Sequence, residues 1–492
     1  MTLLLVPPDA RPPTLAFPQS LALAVGLGVR VPPSDALNKI NEPGDTEVLR
    51  KWLLDNADAS LLIVSLETLT LGGMIPARRV DTSLEEVRKR LETLRTLKEV
   101  SPKLRILAHG VIVRVAHDND PLEEKPYYGT WGDELRRYSE LSDRGSRGQE
   151  VSLANDIPPE ILENWLATRR RNHQLHLDAL DLVADGILGH LCLTLDDTST
   201  YGLAAQDRRA LEAKTDDLGL WSQVDIYPGA DEVPATLLAR ALNPEPLKVA
   251  VRYPSVRSPL AEMRYEDRCL GELVKAHLRA AHAQEVERIK DADLILAVNA
   301  PALNQGEVQP DYMSVDTAER HSPLFVENVW GWLNQNIPVT LADVAYANGA
   351  EARLMRLLAA QVRLSDLSGF SAWNTAGNSL GGALAQGLLA HQVKHQEKWL
   401  GVRFNRFVDD YLYQTHVRAE VYAALPNPDP FDLGEQVEQA EKMINERIRP
   451  LAETLWAEHF ADAKHDLIWQ PARLAWARLF TGVFEFRVKA RG

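Results

Sequence analysis

The chain has 492 residues, of which 45% are hydrophobic and 25% are charged, as in an ordinary globular protein. Its 69 acidic and 54 basic residues give a net charge of −15, which argues against nucleic acid or an anionic membrane surface as a partner. The length allows a large catalytic domain with one or two appendages.

The N-terminus and the cysteines indicate a cytoplasmic protein. The first residues carry no basic segment and too short an apolar core for a signal peptide, and no run approaches the roughly 18 apolar residues of a membrane span. The two cysteines, Cys192 and Cys269, give neither a disulfide framework nor a cysteine zinc site. Cys192 is expected to be a small buried hydrophobe.

Apolar runs alternate with amphipathic helical stretches along the whole chain. Pro, Gly, Asp or Asn follows most of the runs, as expected where strands end in turns. The predicted strands cover residues 2–6, 29–31, 60–66, 104–113, 187–195, 223–227, 247–253, 292–299, 338–342 and 369–372. This alternation predicts an α/β fold with a parallel sheet.

Ten candidate strands exceed the eight of a (β/α)8 barrel, so residues 29–31 and 247–253 are treated as extra. The sequence thus predicts a (β/α)8-like barrel with an inserted α/β segment and a mostly helical C-terminal appendage. The catalytic domain would cover residues 1–390, with a lid-like loop at 116–159 and an inserted subdomain at 247–299. Residues 391–492 would form the helical C-terminal region.

Asp196 and Asp197 follow a continuous apolar run that suits a strand buried on both faces. An isolated Asp pair in this position ordinarily caps the next helix and faces water. At the carboxyl end of a barrel strand, however, two neighbouring carboxylates lie where α/β folds place their chemistry. The polar residues at other strand ends decide between these interpretations.

Such residues recur at or just after the other apolar runs, and a barrel would bring them to one rim. They are Asp9, Arg11, Glu67, His109, Asp231, Glu232, Asn299, Asp343, Asn348 and Asn374. Each has an ordinary alternative: Glu232 can begin a helix, His109 can be a core histidine, and Arg11 or Arg78 can form a structural salt bridge. Trp373 can pack in the core or stack on a sugar, whereas Tyr127, Tyr128 and Trp131 lie in a polar stretch and are expected to contact the sugar.

No phosphate-binding glycine loop, no serine-hydrolase elbow and no H-E-x-x-H zinc spacing occurs in the sequence. What remains is carboxylate chemistry on a neutral substrate. Two close acids cannot both ionise easily, so one can donate a proton while the other stays anionic, as glycoside hydrolysis requires. Adjacent strand residues point in different directions, which favours the variant in which a 2-acetamido group of the substrate is the nucleophile.

Several segments together resemble the bacterial domain-of-unknown-function 4127 family, a name that carries no activity. They lie at residues 7–12, 196–202, 227–232, 342–349 and 373–378, and the resemblance extends to about Gly387.

More remotely, the order of these motifs is similar to the barrel of glycoside hydrolase family 84, the β-N-acetylglucosaminidases. Gly186–Asp197 resembles the strand that carries the catalytic pair of that family. The resemblance implies that Asp196 polarises the acetamido nitrogen and that Asp197 acts as general acid and then as base. It also implies that Asp343, Asn348 and Asn374 bind the sugar, although Val344 and Gly349 depart from the family's loop.

We therefore expect a retaining exo-glycosidase that hydrolyses a small 2-acetamido sugar, without cofactor or metal and as a possible homodimer. Two alternatives remain. One is a metal-dependent hydrolase or lyase that uses His109, Asp196, Asp231 and Asp343. The other is a non-catalytic sugar-binding protein.

Overall fold

The computed structural model describes residues 1–153, 155–308 and 318–491. The chain forms two compact units, and each is assembled from separate segments of sequence. Unit 1 comprises Met1–Ala10, Leu27–Pro234 and Tyr265–Asp267, and unit 2 comprises Arg11–Gly26, Ala235–Arg264 and Arg268–Gly492. The predicted domain boundary at residue 390 lies inside unit 2.

The strands follow one another in chain order through both units. They are β1 (Thr2–Val6), β2 (Gly28–Arg30), β3 (Leu61–Ser65), β4 (Arg105–Ile112), β5 (His190–Leu195), β6 (Val224–Pro228), β7 (Leu247–Arg252), β8 (Ala283–Glu285), β9 (Leu294–Asn299), β10 (Gly306–Glu307), β11 (Val339–Asp343), β12 (Tyr346–Ala347), β13 (Gly369–Ser371), β14 (His465–Ile468), β15 (Arg473–Leu474), β16 (Gly482–Val483) and β17 (Arg487–Ala490).

The helices occupy most of the connections between these strands. They are α1 (Ala16–Ala24), α2 (Thr46–Asp55), α3 (Leu66–Leu71), α4 (Met74–Arg79), α5 (Leu84–Leu91), α6 (Thr93–Val100), α7 (Tyr128–Ser146), α8 (Pro159–Ala184), α9 (Leu203–Leu218), α10 (Val233–Leu242), α11 (Leu270–Ala280), α12 (Ser322–Asn334), α13 (Ala352–Ala359), α14 (Ala376–Leu389), α15 (Gln396–Arg406), α16 (Arg418–Ala424) and α17 (Val437–His459). A π-helical segment, Phe407–Val417, connects α15 to α16.

Unit 1 is built on a six-stranded sheet in the order β2-β1-β3-β4-β5-β6. All five strand pairs are parallel. Every residue of β3 and β5 is buried, because helices cover the faces of a parallel sheet and its central strands are therefore apolar throughout. One apolar cluster joins β1, β3, β4, β5 and β6 to the helices of this unit through side chains such as Leu62, Leu94 and Leu180.

Unit 2 contains a second parallel sheet, in the order β13-β11-β9-β7-β8. Its apolar cluster packs β9, β11 and β13 against α12, α13, α15, the π-helical segment and α17. Phe370 stacks on Phe407 with ring centroids 4.1 Å apart inside this cluster. Four short strands near the C-terminus form two antiparallel pairs, β14 with β17 and β15 with β16.

The predicted mixed α/β fold with parallel strands and helices is confirmed, but a closed barrel is not confirmed. The main described strands pair into two open sheets of six and five strands, and no pairing joins them into a closed eight-stranded barrel. The two runs treated as extra are ordinary members: β2 is the edge of the first sheet and β7 lies within the second. The segment expected to be an insertion supplies β7, β8 and β9 to the second sheet.

The helical content of the C-terminal region agrees with the prediction, since α15, the π-helical segment, α16 and α17 occupy most of residues 396–459. No helix in the three described ranges is both long and apolar enough to cross a membrane.

Candidate active site

The candidate site lies at the carboxyl ends of β4, β5 and β6 in unit 1, where open parallel sheets ordinarily bind their ligands. β5 ends at Leu195 and is followed at once by Asp196 and Asp197. Their side chains are 11% and 21% exposed, so both lie largely buried with a small part open to solvent.

Asp196 is held by an arginine from α4. An Nη atom of Arg78 donates to Asp196 Oδ2, and the Arg78 side chain is itself only 3% exposed. Arg78 lies in the last turn of α4, whose start is fixed by Gly73 immediately after the left-handed Gly72 that ends α3. The short α3–α4 turn therefore determines where this guanidinium group lies.

Asp197 is held by a second arginine, Arg114, which lies two residues after the end of β4. Arg114 Nη1 lies 2.7 Å from Asp197 Oδ2. Asp197 has a φ of +39°, a left-handed conformation that Asp and Asn tolerate better than most residues. The backbone turns sharply at the end of β5 and gives the two adjacent carboxyl groups separate arginine partners.

Glu123 and Glu124 join the two arginines into one network. Arg114 donates to both, at 2.9 Å to Glu123 Oε2 and 2.9 Å to Glu124 Oε1. Arg78 Nη1 lies 3.2 Å from Glu124 Oε1 and 3.6 Å from Glu123 Oε2. With Asp196 and Asp197, four carboxyl groups thus face two guanidinium groups, so full ionisation would leave an excess of negative charge.

The pKa of Asp197 is raised in this environment. Burial is the largest cause, and the negative charge of Asp196 adds to it, whereas Arg114 and Arg78 oppose the shift; the resulting pKa is about 7. Near neutral pH, Asp197 can therefore carry a proton beside the carboxylate that Arg78 binds. This is the division of labour that acid–base catalysis by two acids requires.

Glu232 is a third acid with an altered pKa, and it follows β6. Its Oε2 accepts a hydrogen bond of 2.8 Å from the Ala230 backbone N–H. Burial raises the pKa of Glu232 to about 8, and the charges of Asp231 and Asp196 contribute to the increase. Glu232 is therefore mostly protonated at neutral pH and lies close enough to respond to the charge of Asp196.

The other residues predicted in unit 1 are buried, with Asp9 0% and Asp231 2% exposed. Glu67 Oε1 lies 2.9 Å from His176 Nε2 and accepts from the Val111 N–H at 2.8 Å. Burial alone would raise the pKa of Glu67, but these bonds and the charge of His176 outweigh it and lower the pKa. Glu67 is thus engaged with the helix behind the sheet.

His109 lies within β4, and burial lowers its pKa to about 4. Its imidazole ring is 0% exposed and therefore neutral at physiological pH. It is a buried histidine of the sheet, consistent with the ordinary alternative for this residue.

Asn299 and Asp343 belong to a closed network in unit 2. Asn299 Nδ2 donates to Asp343 Oδ1 at 2.7 Å and to Glu351 Oε2 at 2.9 Å. Arg320 donates at 2.6 Å to both Asn299 Oδ1 and Glu351 Oε2. All four side chains are fully or almost fully buried, so this network supports the ends of β9 and β11.

Asn348 and Asn374 both have left-handed backbones, with φ of +65° and +55°. The Asn348 N–H donates to the Asn374 carbonyl at 2.8 Å, which joins the two turns. The Asn348 side chain donates to Glu307 Oε2 at 2.8 Å and lines a cavity of about 430 Å³ within unit 2.

Trp373 and Arg11 pack within unit 2. Trp373 is 3% exposed, with its ring 5.4 Å from that of Phe480. The Arg11 guanidinium lies 5.1 Å from the centre of the Trp476 ring. The predicted residues are thus distributed over two units, and the pairing of the described strands does not confirm the single barrel rim on which we expected them.

The predicted lid is largely a helix with a small core of its own. Residues 128–146 form α7, and Tyr128 is 1% exposed in an apolar cluster with Trp165 and Leu203. Tyr127 and Trp131 pack against the same cluster. The Tyr127 hydroxyl donates to Asn164 Oδ1 at 3.1 Å. These aromatic side chains therefore have structural partners within unit 1.

The metal set considered from the sequence is also divided, because Asp343 belongs to unit 2 and His109, Asp196 and Asp231 to unit 1. Within the described ranges, one group of donor side chains is compact enough for a metal ion, and it consists of His190, Cys192 and Asp225. It contains none of the four residues of the predicted set.

Comparison with known proteins identifies the family. The profile described as "Protein of unknown function (DUF4127)" matches residues 3–485, which is nearly the whole chain. The chain belongs to this family. The match confirms the resemblance carried by the segments around Asp196, Asp231 and Asp343. A search of curated proteins gives no match, so the function has to be argued from the site itself.

The sequence interpretation missed Arg114, Glu123 and Glu124. Arg114 follows an apolar run in the same way as the other strand-end residues, and this position was its only signal. Glu123 and Glu124 lie in a polar stretch without periodicity, where no pattern distinguishes a buried ion pair from a solvated one.

Proposed function

We propose that the chain is a glycoside hydrolase that uses Asp197 as its proton donor and acceptor beside the Asp196 carboxylate. The proposal rests on one observation, which is that the two neighbouring acids differ in what surrounds their carboxyl groups. Asp196 is bound by Arg78, whereas burial and the charge of Asp196 raise the pKa of Asp197 to about 7. A proton donor and an anion next to each other match the needs of a transition state with oxocarbenium character.

The proposed substrate is a neutral sugar that carries a 2-acetamido group. The excess of carboxylates over arginines around Asp196 disfavours an anionic substrate. Adjacent residues are poorly placed to approach an anomeric carbon from opposite faces, so a nucleophile from the substrate is the simpler solution. The glycosidase family resemblance supports the same choice, although the pairing of the described strands does not confirm the barrel that this resemblance implies.

In the proposed reaction the acetamido oxygen attacks the anomeric carbon, and the bond from that carbon to the leaving oxygen breaks. Asp197 gives its proton to the leaving oxygen, while Asp196 accepts a hydrogen bond from the acetamido N–H. A water molecule then attacks the anomeric carbon and reopens the cyclic intermediate, and its proton returns to Asp197. One water is consumed and the configuration at the anomeric carbon is retained.

Glu232 is a further member of this site. It is protonated near neutral pH, and the charge of Asp196 contributes to its raised pKa. We assign it a role in binding a sugar hydroxyl by hydrogen bonding. Asp343 and Asn299 are omitted from direct contact with substrate, since both belong to the bonded network inside unit 2. Asn348 and Asn374 belong to unit 2, whereas the proposed site consists of residues of unit 1.

The test is a panel of aryl glycosides, with and without a 2-acetamido group, assayed with the wild-type chain and with Asp197→Asn. Asn fits the left-handed backbone of position 197, so folding should be retained. Loss of a general acid should lower kcat/KM by about 100- to 10,000-fold. The matched control is Asp133→Asn, at a carboxylate of α7 that is 74% exposed, which should retain full activity.

Each alternative gives a different result in the same assay. Near-normal turnover by Asp197→Asn would exclude the proposed role of this residue. Binding of glycosides without any turnover would favour a sugar-binding protein. Activity that is abolished by a chelator and restored by a divalent cation would favour the metal-dependent hydrolase.

A further inference from the structure

Four potential metal ligands lie on one face of three neighbouring strands in unit 1. His190 and Cys192 are two residues apart in β5, so their side chains point to the same face of the sheet. Cys192 is paired in register with Asp225 of β6 on one side and with His109 of β4 on the other. Partners in a parallel ladder share a face, which places two imidazoles, a thiol and a carboxyl group side by side.

The donor atoms of three of these residues are already close together. One ligand atom each from His190, Cys192 and Asp225 all lie within 4.8 Å of one another. His190 Nε2 is 2.9 Å from Asp225 Oδ2. A tetrahedral zinc ion with bonds of about 2.0 to 2.3 Å needs ligands about 3.3 to 3.8 Å apart. For these three residues, changes of an ångström or less in side-chain position would admit the ion.

His109 provides a second and independent observation. It is 0% exposed, and within the described ranges neither of its ring nitrogens has a hydrogen-bond partner. A buried polar group without a partner ordinarily costs about 1 to 3 kcal/mol, so native proteins rarely leave one. Coordination of a metal ion would satisfy one of these nitrogens.

Charge favours a cation at this position as well. His109 and Cys192 are 0% exposed, His190 is 3% and Asp225 is 4%. On binding a cation Cys192 would lose its proton, and the charge of the ion would then compensate the buried thiolate and carboxylate. One divalent ion balances both, and a thiolate with two imidazoles and a carboxylate oxygen is a donor set that suits zinc.

We propose that His109, His190, Cys192 and Asp225 bind one structural zinc ion that joins β4, β5 and β6. The site has four protein ligands and no solvent-facing side, as structural zinc sites do. Cys192 precedes Asp196 by four residues of extended chain, or about 13 Å, so the ion is separate from the proposed acid pair. The same burial argues against Cys192 as a nucleophile, since a substrate cannot reach it.

The experiment uses the full chain, purified without added metal and analysed for bound metals by mass spectrometry. We expect about one zinc ion per chain, removal of which lowers the unfolding temperature. Replacement by Co²⁺ should produce the near-ultraviolet absorption of a cobalt–thiolate bond together with the visible bands of tetrahedral cobalt. These signals come from the wild-type chain and require no variant to fold.

Variants then identify the ligands. Cys192→Ala should abolish the cobalt–thiolate absorption, whereas Cys269→Ala, at the other cysteine, should leave it unchanged. His109→Gln should weaken Zn²⁺ binding by more than the roughly 10- to 100-fold that changes outside the ligand sphere cause. Asp197→Asn should bind Zn²⁺ as the wild type does, which separates this proposal from the proposed glycosidase activity.

Two results would overturn the proposal. The first is a folded wild-type chain with reduced cysteines that binds neither Zn²⁺ nor Co²⁺ stoichiometrically; His190 and Asp225 would then be a buried ion pair beside a thiol. The second is an unchanged metal affinity in His109→Gln, which would remove the fourth ligand.

Discussion

Arg114 bonds to Asp197 through one end of its guanidinium group and to Glu124 through the other, at 2.7 Å and 2.9 Å. The arginine therefore connects one member of the acid pair to the polar segment that precedes α7. Its charge limits the increase in the pKa of Asp197 that burial and Asp196 cause.

Arg114→Met should raise the pKa of Asp197 further, by about 1 to 3 pH units, because an opposite charge at ion-pair distance is lost. A general acid is active while it holds its proton. The alkaline limb of the kcat/KM profile should therefore move to higher pH by the same amount. The measurement is the pH dependence of kcat/KM, with the exposed Arg137→Met as control. An alkaline limb that stays in place would show that Asp197 is not the titrating acid.

Glu351→Gln should make stability less dependent on pH. Burial, and next the charge of Glu351, raise the pKa of Asp343 to about 7. Because this pKa is higher in the folded than in the unfolded state, the folded state binds the extra proton, and stability falls as pH rises from about 4 to 7. Gln removes one negative charge and can keep both bonds of Glu351 Oε2, from Asn299 and Arg320.

The loss of unfolding free energy between about pH 4 and 7 should become smaller by about 1.4 kcal/mol for each unit by which the pKa of Asp343 falls. Urea unfolding of the wild type and of Glu351→Gln at about pH 4, 5, 6 and 7 measures this change across the window. Glu319→Gln removes a carboxylate that is 48% exposed and should leave the wild-type pH dependence intact. A profile for Glu351→Gln as steep as that of the wild type would contradict the coupling.

Gly72→Ala and Gly219→Ala form a matched pair, since both glycines end helices in the left-handed region, with φ of +79° and +66°. A Cβ at Gly72 would lie 2.7 Å from the Gly44 carbonyl oxygen, whereas the described residues leave open space around Gly219. Gly219→Ala should cost about 1 kcal/mol from its backbone conformation. Gly72→Ala should cost about 1 to 3 kcal/mol more through overlap with the backbone.

Gly72→Ala should also lower kcat/KM, because the turn after α3 determines the position of Arg78 on α4. Urea unfolding and the glycoside assay, applied to both variants, separate stability from activity. Equal costs for the two substitutions would mean that the loop at Gly44 moves aside easily.

Most strands and their parallel arrangement were predictable from the sequence, because a buried strand is a continuous apolar run that is followed by turn residues. Residues 104–113 contain β4, and residues 187–195 contain β5. Apolar runs of this kind cannot distinguish a barrel from two open sheets. That difference depends on which edge strands pair, and β2 and β8 show no residue that identifies them as edges.

The acid pair was predictable because it follows β5 directly, but its environment was not. The pKa of Asp197 depends on Arg78 and Arg114, which are remote in sequence and become neighbours only through the sheet. Cys192 shows a related limit. Its apolar neighbours in the sequence indicate a buried hydrophobe, while the residues beside it on β4 and β6 are a histidine and an aspartate.

The order in which the ribosome makes the segments has a consequence for unit 2. α1 is synthesised almost at once, yet it packs within unit 2 against α15, and the Ala24 carbonyl accepts hydrogen bonds from the N–H groups of Lys394 and His395. In a nascent chain, the apolar face of α1 therefore lacks its contact with α15 until the last fifth of the sequence has been synthesised. Fragments that stop near residue 390 should expose the buried face of α1, around Phe17 and Leu21, and aggregate.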